Sequence, residues 1–212
     1  MVSLAFECAG QGLSAALAAE GKLIGTTAQQ MDRGQPAALL PALHDLLASH
    51  GVSGSDLQRI GCTVGPGGFT GIRLGISAGL GLARATGAGF FGFNAFDVYA
   101  LSAPSRAKLA IAIESRRAEI FVRVYDETGE QLALKDAILT PEAVNESAFF
   151  EHVVGSAASK LLQTAKNTEP DMAFLACLLS ESDENSPVLQ KTLGRATPIY
   201  LRAPEIGGKT AP

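Results

Sequence analysis

The sequence predicts a mixed α/β fold made of two related halves, and three observations carry that reading. A β-meander opens the chain, a second one restarts after Pro104, and between them a strand enters a glycine-packed turn and leaves it as a helix. With 212 residues and 47% hydrophobic content, the chain can bury a substantial core as one domain or two small ones.

Residues 2–8, 12–18 and 22–28 read as short strands, joined by the turns Gly10-Gln11-Gly12 and Glu20-Gly21. A helix over 36–50 follows from Leu39, Leu43, Leu46 and Leu47 on one face, with Gly51 as a stop signal and Pro41 marking its first turn. The strand 58–64 then leads into Gly65-Pro66-Gly67-Gly68-Phe69-Thr70-Gly71 and a helix to about residue 86. A strand around 90–93 precedes a helix that Asn94 caps.

In the second half, strands are expected at 108–114, 118–125 and 131–137, with a turn at Glu127-Thr128-Gly129. Phe6-Glu7 aligns with Ile113-Glu114, and Glu20-Gly21 with Thr128-Gly129, so the meander is duplicated. Helices are expected at 141–150 (Thr140 cap, Pro141 first), 157–167 and 170–179, where Pro170 opens the helix. Residues 198–202 read as a closing strand, and the polar end from Gly207 as loose.

The glycine helix carries a puzzle. Gly71, Gly75, Gly79, Ala83 and Gly87 recur every four residues, forming one ridge along which another backbone can approach closely. Each interior glycine costs about 1 kcal/mol against alanine, so close packing must offset the loss. Either the ridge seats the helix on its own sheet or it meets a partner, with Ile72, Ile76 and Leu80 adding apolar contacts alongside.

Composition excludes several classes. A net charge of −4 leaves no surface basic enough to hold nucleic acid through phosphate neutralisation alone. The N-terminus lacks a basic start and meets Glu7 early, and no apolar run is long enough for a membrane, so a cytoplasmic protein is expected. Cys8, Cys62 and Cys177 show no C-x-x-C spacing and read as reduced core residues. His44, His50 and His152 have no spacing that suits a metal.

Four motifs invite chemistry. Gly75-Ile76-Ser77-Ala78-Gly79 matches a nucleophile elbow, but the sharp turn lies upstream and Ser77 falls inside the helix, where its hydroxyl bonds a backbone carbonyl or packs closely. The glycine turn resembles a dinucleotide fingerprint whose third glycine falls on Thr70, which argues against a nicotinamide site. Gly67 and Gly68 stand ahead of a helix N-terminus and so face a phosphate, or else simply let strand and helix meet closely. Gly207-Gly208-Lys209-Thr210 lacks the first glycine of a P-loop and the helix after it. Finally, Glu7 and Glu114 end the first strands of the two halves, where paired acids across a cleft could hold a metal-bound phosphate. The plainer reading is that each caps a turn or pairs with a nearby cation such as Arg116 or Arg117.

The run from Gly65 to Ala83 resembles the signature of the TsaB family, also called YeaZ, G-P-G-S-F-T-G-[IVL]-R-[IVL]-G, with Gly68 in place of the usual serine. The resemblance extends to Leu4-Ala5-Phe6-Glu7-Cys8-Ala9, Leu40-Pro41, the segment from Ile113 to Phe121, and Pro198-Ile199-Tyr200-Leu201-Arg202. Glu7 stands where the family usually has aspartate, and Gln35-Pro36 departs from its E-H-[ST] segment, so nucleotide handling by the N-terminal half is in doubt.

The resemblance implies two tandem actin-like (ASKHA, ribonuclease H-like) α/β subdomains, 1–103 and a reduced 104–212. It implies a non-catalytic subunit without the metal-binding His-x-x-x-His pair of TsaD. That subunit would pair with the TsaD threonylcarbamoyltransferase, work with TsaE, form a homodimer when alone, and meet tRNA only through the complex. No cofactor is expected in the isolated chain, with ATP or ADP at the level of the complex. The partner surface is expected on the leucine-rich helix and the glycine helix: Leu39, Leu43 and Leu47, with Gly71, Ile72, Gly75, Ile76, Gly79, Leu80 and Ala83. From another class, the alternative is an ASKHA-type ATPase or small-molecule kinase using Glu7, Glu114 and the glycine turn; peptidase activity, a third, lacks both the metal pair and a correctly placed serine.

Overall fold

The fold is a computed structural model that describes residues 1–132, 136–183 and 185–202. The first meander forms as the turns dictate: β1 (Val2–Glu7), β2 (Gly12–Ala19) and β3 (Lys22–Gln30) pair antiparallel. After α1 (Gln35–Ser49), β4 (Leu57–Thr63) pairs parallel to β1. Then α2 (Phe69–Thr86) crosses over to β5 (Gly89–Phe93), parallel to β4. The sheet order β3-β2-β1-β4-β5 is that of a ribonuclease H-like, actin-type subdomain.

After α3 (Ala95–Ser102), whose first turn the Asn94 side chain caps through the Phe96 amide, the pattern repeats. Strands β6 (Leu109–Glu114), β7 (Ile120–Val124) and β8 (Ala137–Leu139) pair antiparallel, and β9 (His152–Val154) joins β6 in parallel. Among the described residues the order β8-β7-β6-β9 repeats the first sheet without a counterpart of β5, so the second sheet is the reduced copy.

Several expected elements change. Pro41 lies inside α1, which begins a turn earlier with Pro36 in its first turn. The strand expected at 131–137 shifts to β8; Gln131 makes only an isolated bridge to Tyr125, and residues 133–135 lie outside the described ones. The helix 141–150 stops at Ser147 (α4, Pro141–Ser147), and 157–167 contracts to α5 (Ala158–Leu161). Instead of Pro170, Asp171 caps α6 (Met172–Glu181) through the Phe174 amide. Both β9 and α7 (Pro187–Thr192) were too short to register as periodic patterns. Residues 198–202 form no strand; Ile199 donates one backbone bond to Val64. The chain end from Gly207 and its P-loop-like segment lie outside the described residues.

The first sheet is covered on both faces. Leu4, Phe6, Leu17 and Ile60 pack with Leu39 and Leu43 of α1 and Ile72 and Ile76 of α2. On the other face Ala5, Ala16 and Ala18 receive Met172, Leu175 and Leu179 of α6. Thus α6, from the second half of the sequence, completes the first half's core. Arg59, buried on β4, donates to the carbonyls of Leu179 and Ser182 at 2.7 and 2.8 Å and so fastens the end of α6. The helix α3 bridges the sheets: Val98 packs toward α6, while Phe96 and Tyr99 pack on β6 and β7. Cys8 and Cys62 are buried core residues as expected, whereas Cys177 is only partly covered on α6. No helix among the described residues is long and apolar enough to cross a membrane.

Candidate functional site

The glycine turn is shaped by close approach to the β1–β2 turn. Gly68 donates its N–H to the Ala9 carbonyl at 2.8 Å, and a Cβ on Gly67 would lie 2.9 Å from that of Ala9. One of the two donors considered for a phosphate is therefore already used within the chain, which corrects the expectation for Gly68. Gly65, at φ +106°, accepts from Ala95 N and ties the turn to α3.

The small-residue ridge of α2 is seated on the chain's own sheet. A Cβ on Gly71 would lie 2.6 Å from Ala9 Cα and collide with the Cys8 carbonyl, and one on Gly79 would meet the Phe90 ring at 2.5 Å. Gly75 faces Cys8 Sγ, and Ile72, Ile76, Ala83, Leu39 and Leu43 are buried in the same core, with Leu47 partly so. The ridge expected to meet a partner meets the chain's own β1, β4 and β5 instead, because one ridge serves one neighbour. Of the expected interface, Leu80 alone is substantially exposed, at 42%. The outward surface is the opposite face: Leu40, Pro41 and His44 on α1, with Arg73, Ser77 and Leu80 on α2. Ser77 stands there in mid-helix, without the turn a nucleophile elbow requires.

At the start of α2, beside the start of α1, lies a cleft of about 500 Å³. Its walls carry Arg33, Arg116, Arg117 and Arg202 together with the opening turn of α2, whose first amide groups have no intrahelical acceptors. At its edge Arg73 stacks on Phe69, 3.8 Å from the ring centroid, and donates to the Tyr200 hydroxyl at 2.9 Å. Sequence reasoning did not bring these arginines together at the start of α2, although a signal was present in the arginine of the glycine signature and in the Pro-Ile-Tyr-Leu-Arg segment.

Glu7 and Glu114 do converge, on a second and narrower cleft of about 50 Å³. Their surroundings differ. Glu114 accepts from Arg116 N at 2.7 Å and pairs with Lys160 at 2.8 Å, so it caps a turn and is neutralised, by a lysine instead of the arginines considered. Glu7 is 6% exposed; its Oε1 accepts from Ala9 N at 2.5 Å, while Oε2 is buried without a partner. Burial pushes its pKa up to about 7; the charge of Glu169 adds to the rise, and the amides of Ala9 and Gly10 oppose it. Burial likewise raises Glu169, and burial and then the Glu7 charge raise the Cys8 thiol, which leaves Cys8 unsuited to nucleophilic chemistry.

Comparison with known proteins adds an independent line. A family model described as "TsaD: tRNA N6-adenosine threonylcarbamoyltransferase" matches residues 26–195. The tRNA threonylcarbamoyladenosine biosynthesis protein TsaB of Escherichia coli K12 is 30% identical over 149 residues, which cover 68% of this chain and 64% of that protein, just under two thirds of its length. Among solved structures, YeaZ from Pseudomonas aeruginosa superposes with a TM-score of 0.70 at 25% identity, covering 94% of this chain and 99% of that one. A Pseudomonas aeruginosa protein described as uncharacterized, with similarity to peptidase YeaZ, gives a TM-score of 0.70 at 27% identity over 95% and 99% of the two chains.

Proposed function

The chain belongs to the family described by the TsaD model, on its TsaB/YeaZ branch, and from that premise we propose that it is the non-catalytic partner subunit of a TsaD threonylcarbamoyltransferase. In that role it is required for forming threonylcarbamoyladenosine next to the anticodon of tRNAs that read ANN codons. It acts in the cytoplasm, joins a TsaE-type ATPase in the full complex, self-associates when the partner is missing, and meets tRNA only through the assembly.

The observation that carries this reading is the outward face of α1 and α2. Leu40 and Leu80 are exposed at 50% and 42% on neighbouring helices whose inner faces are already filled. Large apolar side chains exposed on two neighbouring helices suit the surface a protein partner covers. The 500 Å³ cleft lies at the starts of the same two helices, and its arginines and helix start suit ATP or ADP bound once the complex has formed. An ATPase or kinase working alone would need its nucleotide between Glu7 and Glu114, where about 50 Å³ is far below the several hundred that such ligands occupy.

Analytical ultracentrifugation with the TsaD protein of the same organism tests the reading. The wild type should form a heterodimer, and Leu80→Arg and Leu40→Asp, on the outer face, should weaken it while staying folded. No wild-type association, or association undiminished in both variants, would overturn it. Gly75→Leu and Gly79→Leu are unsuitable probes, since their side chains would strike the chain's own sheet.

A further inference from the structure

The β1–β2 turn holds a second feature, on the side away from the glycine helix. Glu7 and Ser14 face each other in the β1–β2 register, and both Glu7 Oε2 and Ser14 Oγ are buried without a hydrogen-bond partner among the described residues. Buried polar atoms are nearly always partnered, so two orphans on directly opposed residues call for a third group between them. They line a pocket of about 130 Å³ that opens to solvent between Gln11, Gln29, Gln30 and Glu169. Gly10 makes room for the Glu169 carboxylate, which a Cβ at that position would strike.

The chemistry of these walls selects the missing group by charge. Two carboxylates, a hydroxyl and side-chain amides meet there, and among the described residues none that lines it is cationic. Among the described residues no three His, Cys, Asp or Glu side chains gather into a metal cage. A hard divalent cation that keeps part of its water shell needs no such cage; magnesium is commonly held by one or two carboxylates with neutral oxygens and water completing the octahedron. The cavity has space for the ion and some of its waters.

We propose that this pocket is a divalent-cation site, with Glu7 and Glu169 as its carboxylate ligands and Ser14 Oγ as a neutral one. Glu169 immediately precedes Pro170 and α6, on the segment that carries the chain back from the second sheet to the first. The ion therefore ties the β1–β2 turn to that return segment and holds α6 in place over the sheet. The role is structural and does not depend on the partner surface.

Manganese(II) is the probe. The full chain, stripped with EDTA, is titrated with Mn²⁺ and the free ion followed by electron paramagnetic resonance, with Mg²⁺ as competitor. One Mn²⁺ should bind per chain and be displaced by Mg²⁺. Glu7→Gln and Glu169→Gln should each weaken binding roughly tenfold or more, and Glu114→Gln should leave it unchanged. Ser14→Ala, the mildest change to the packing, is the second variant should a carboxylate substitution fail to fold, and it too should weaken binding. No Mn²⁺ binding to the wild type, or binding undiminished in Glu7→Gln, would overturn the proposal and leave only water or a proton between Glu7 and Ser14.

Discussion

Glu7 and Glu114 end equivalent strands of the two sheets, yet one is buried with a free oxygen and the other is paired with Lys160. The contrast extends beyond this pair. In the second half the buried charge is neutralised on all sides: Arg123 forks onto Asp136 with bonds of 2.6 and 2.8 Å, reaches Asp97 at 2.5 Å, and lies over the Phe96 ring. In the first half, the acid facing Glu7 is another acid, Glu169. A repeated backbone, then, does not repeat its electrostatics. Strand order survives because it follows from hydrophobic pattern and turn chemistry, whereas the partner of each charge depends on single residues arriving from distant segments.

The comparison is broken most forcefully at Arg123. Replacing it by methionine keeps the apolar stem but leaves Asp97 and Asp136 facing a buried site without a cation. The loss should be about 3–5 kcal/mol, read as a lower urea midpoint. Because the arginine joins α3 to β7 and to the start of β8, the variant should also loosen α3, seen as faster amide exchange there.

At Glu7 the sign reverses. Its folded-state pKa of about 7 lies above the ordinary value of 4.5, so the folded chain holds that proton more tightly than the unfolded chain does. Its contribution to stability is fully present below about pH 4.5 and is lost as the pH rises through about 7. In cation-free buffer at pH 8, Glu7→Gln should therefore stabilise the protein by about 3 kcal/mol, and the gain should vanish near pH 4. The amide still accepts from Ala9 N and adds a donor for Ser14. A variant equally or less stable than wild type at pH 8 would show that burial does not dominate at this carboxyl.

Within α2 the same residue type divides in two. Gly71→Ala drives a methyl group into the Cys8 carbonyl and should cost about 1–3 kcal/mol or more. Gly81→Ala meets open space on the outer face and should gain up to about 1 kcal/mol from helix propensity. Melting temperatures moving in the same direction for both would contradict the seating of the ridge.

The sequence made the meander, its duplication and the glycine helix legible, because each rests on local periodicity and turn residues within a few positions. Which neighbour the ridge of that helix serves was not legible. Small residues every four positions announce a close neighbour, and only the position of Cys8, Ala9 and Phe90 identifies the neighbour as the chain's own sheet. Likewise Glu7 and Glu114 could be matched by alignment, but Lys160 and Glu169 lie 46 and 162 residues further along the chain from them, and their placement depends on α5 and the crossing before α6. Arg123 gave no signal, since an arginine in a strand pattern reads as a solvated position until the opposing helix is known.

The smallest effect sharpens the comparison most. Lys160 and Glu114 meet near the surface, with side chains 36% and 16% exposed, where solvent weakens the attraction and ordering the lysine offsets much of the rest. Glu114→Gln should therefore change stability by less than about 1 kcal/mol, since the amide oxygen can still accept from Arg116 N. The same substitution at the matching position of the two sheets would then give a large gain at Glu7 and almost nothing at Glu114. Equal responses would mean that the lysine is not what separates them, and that both acids sense a common field from the cleft they share.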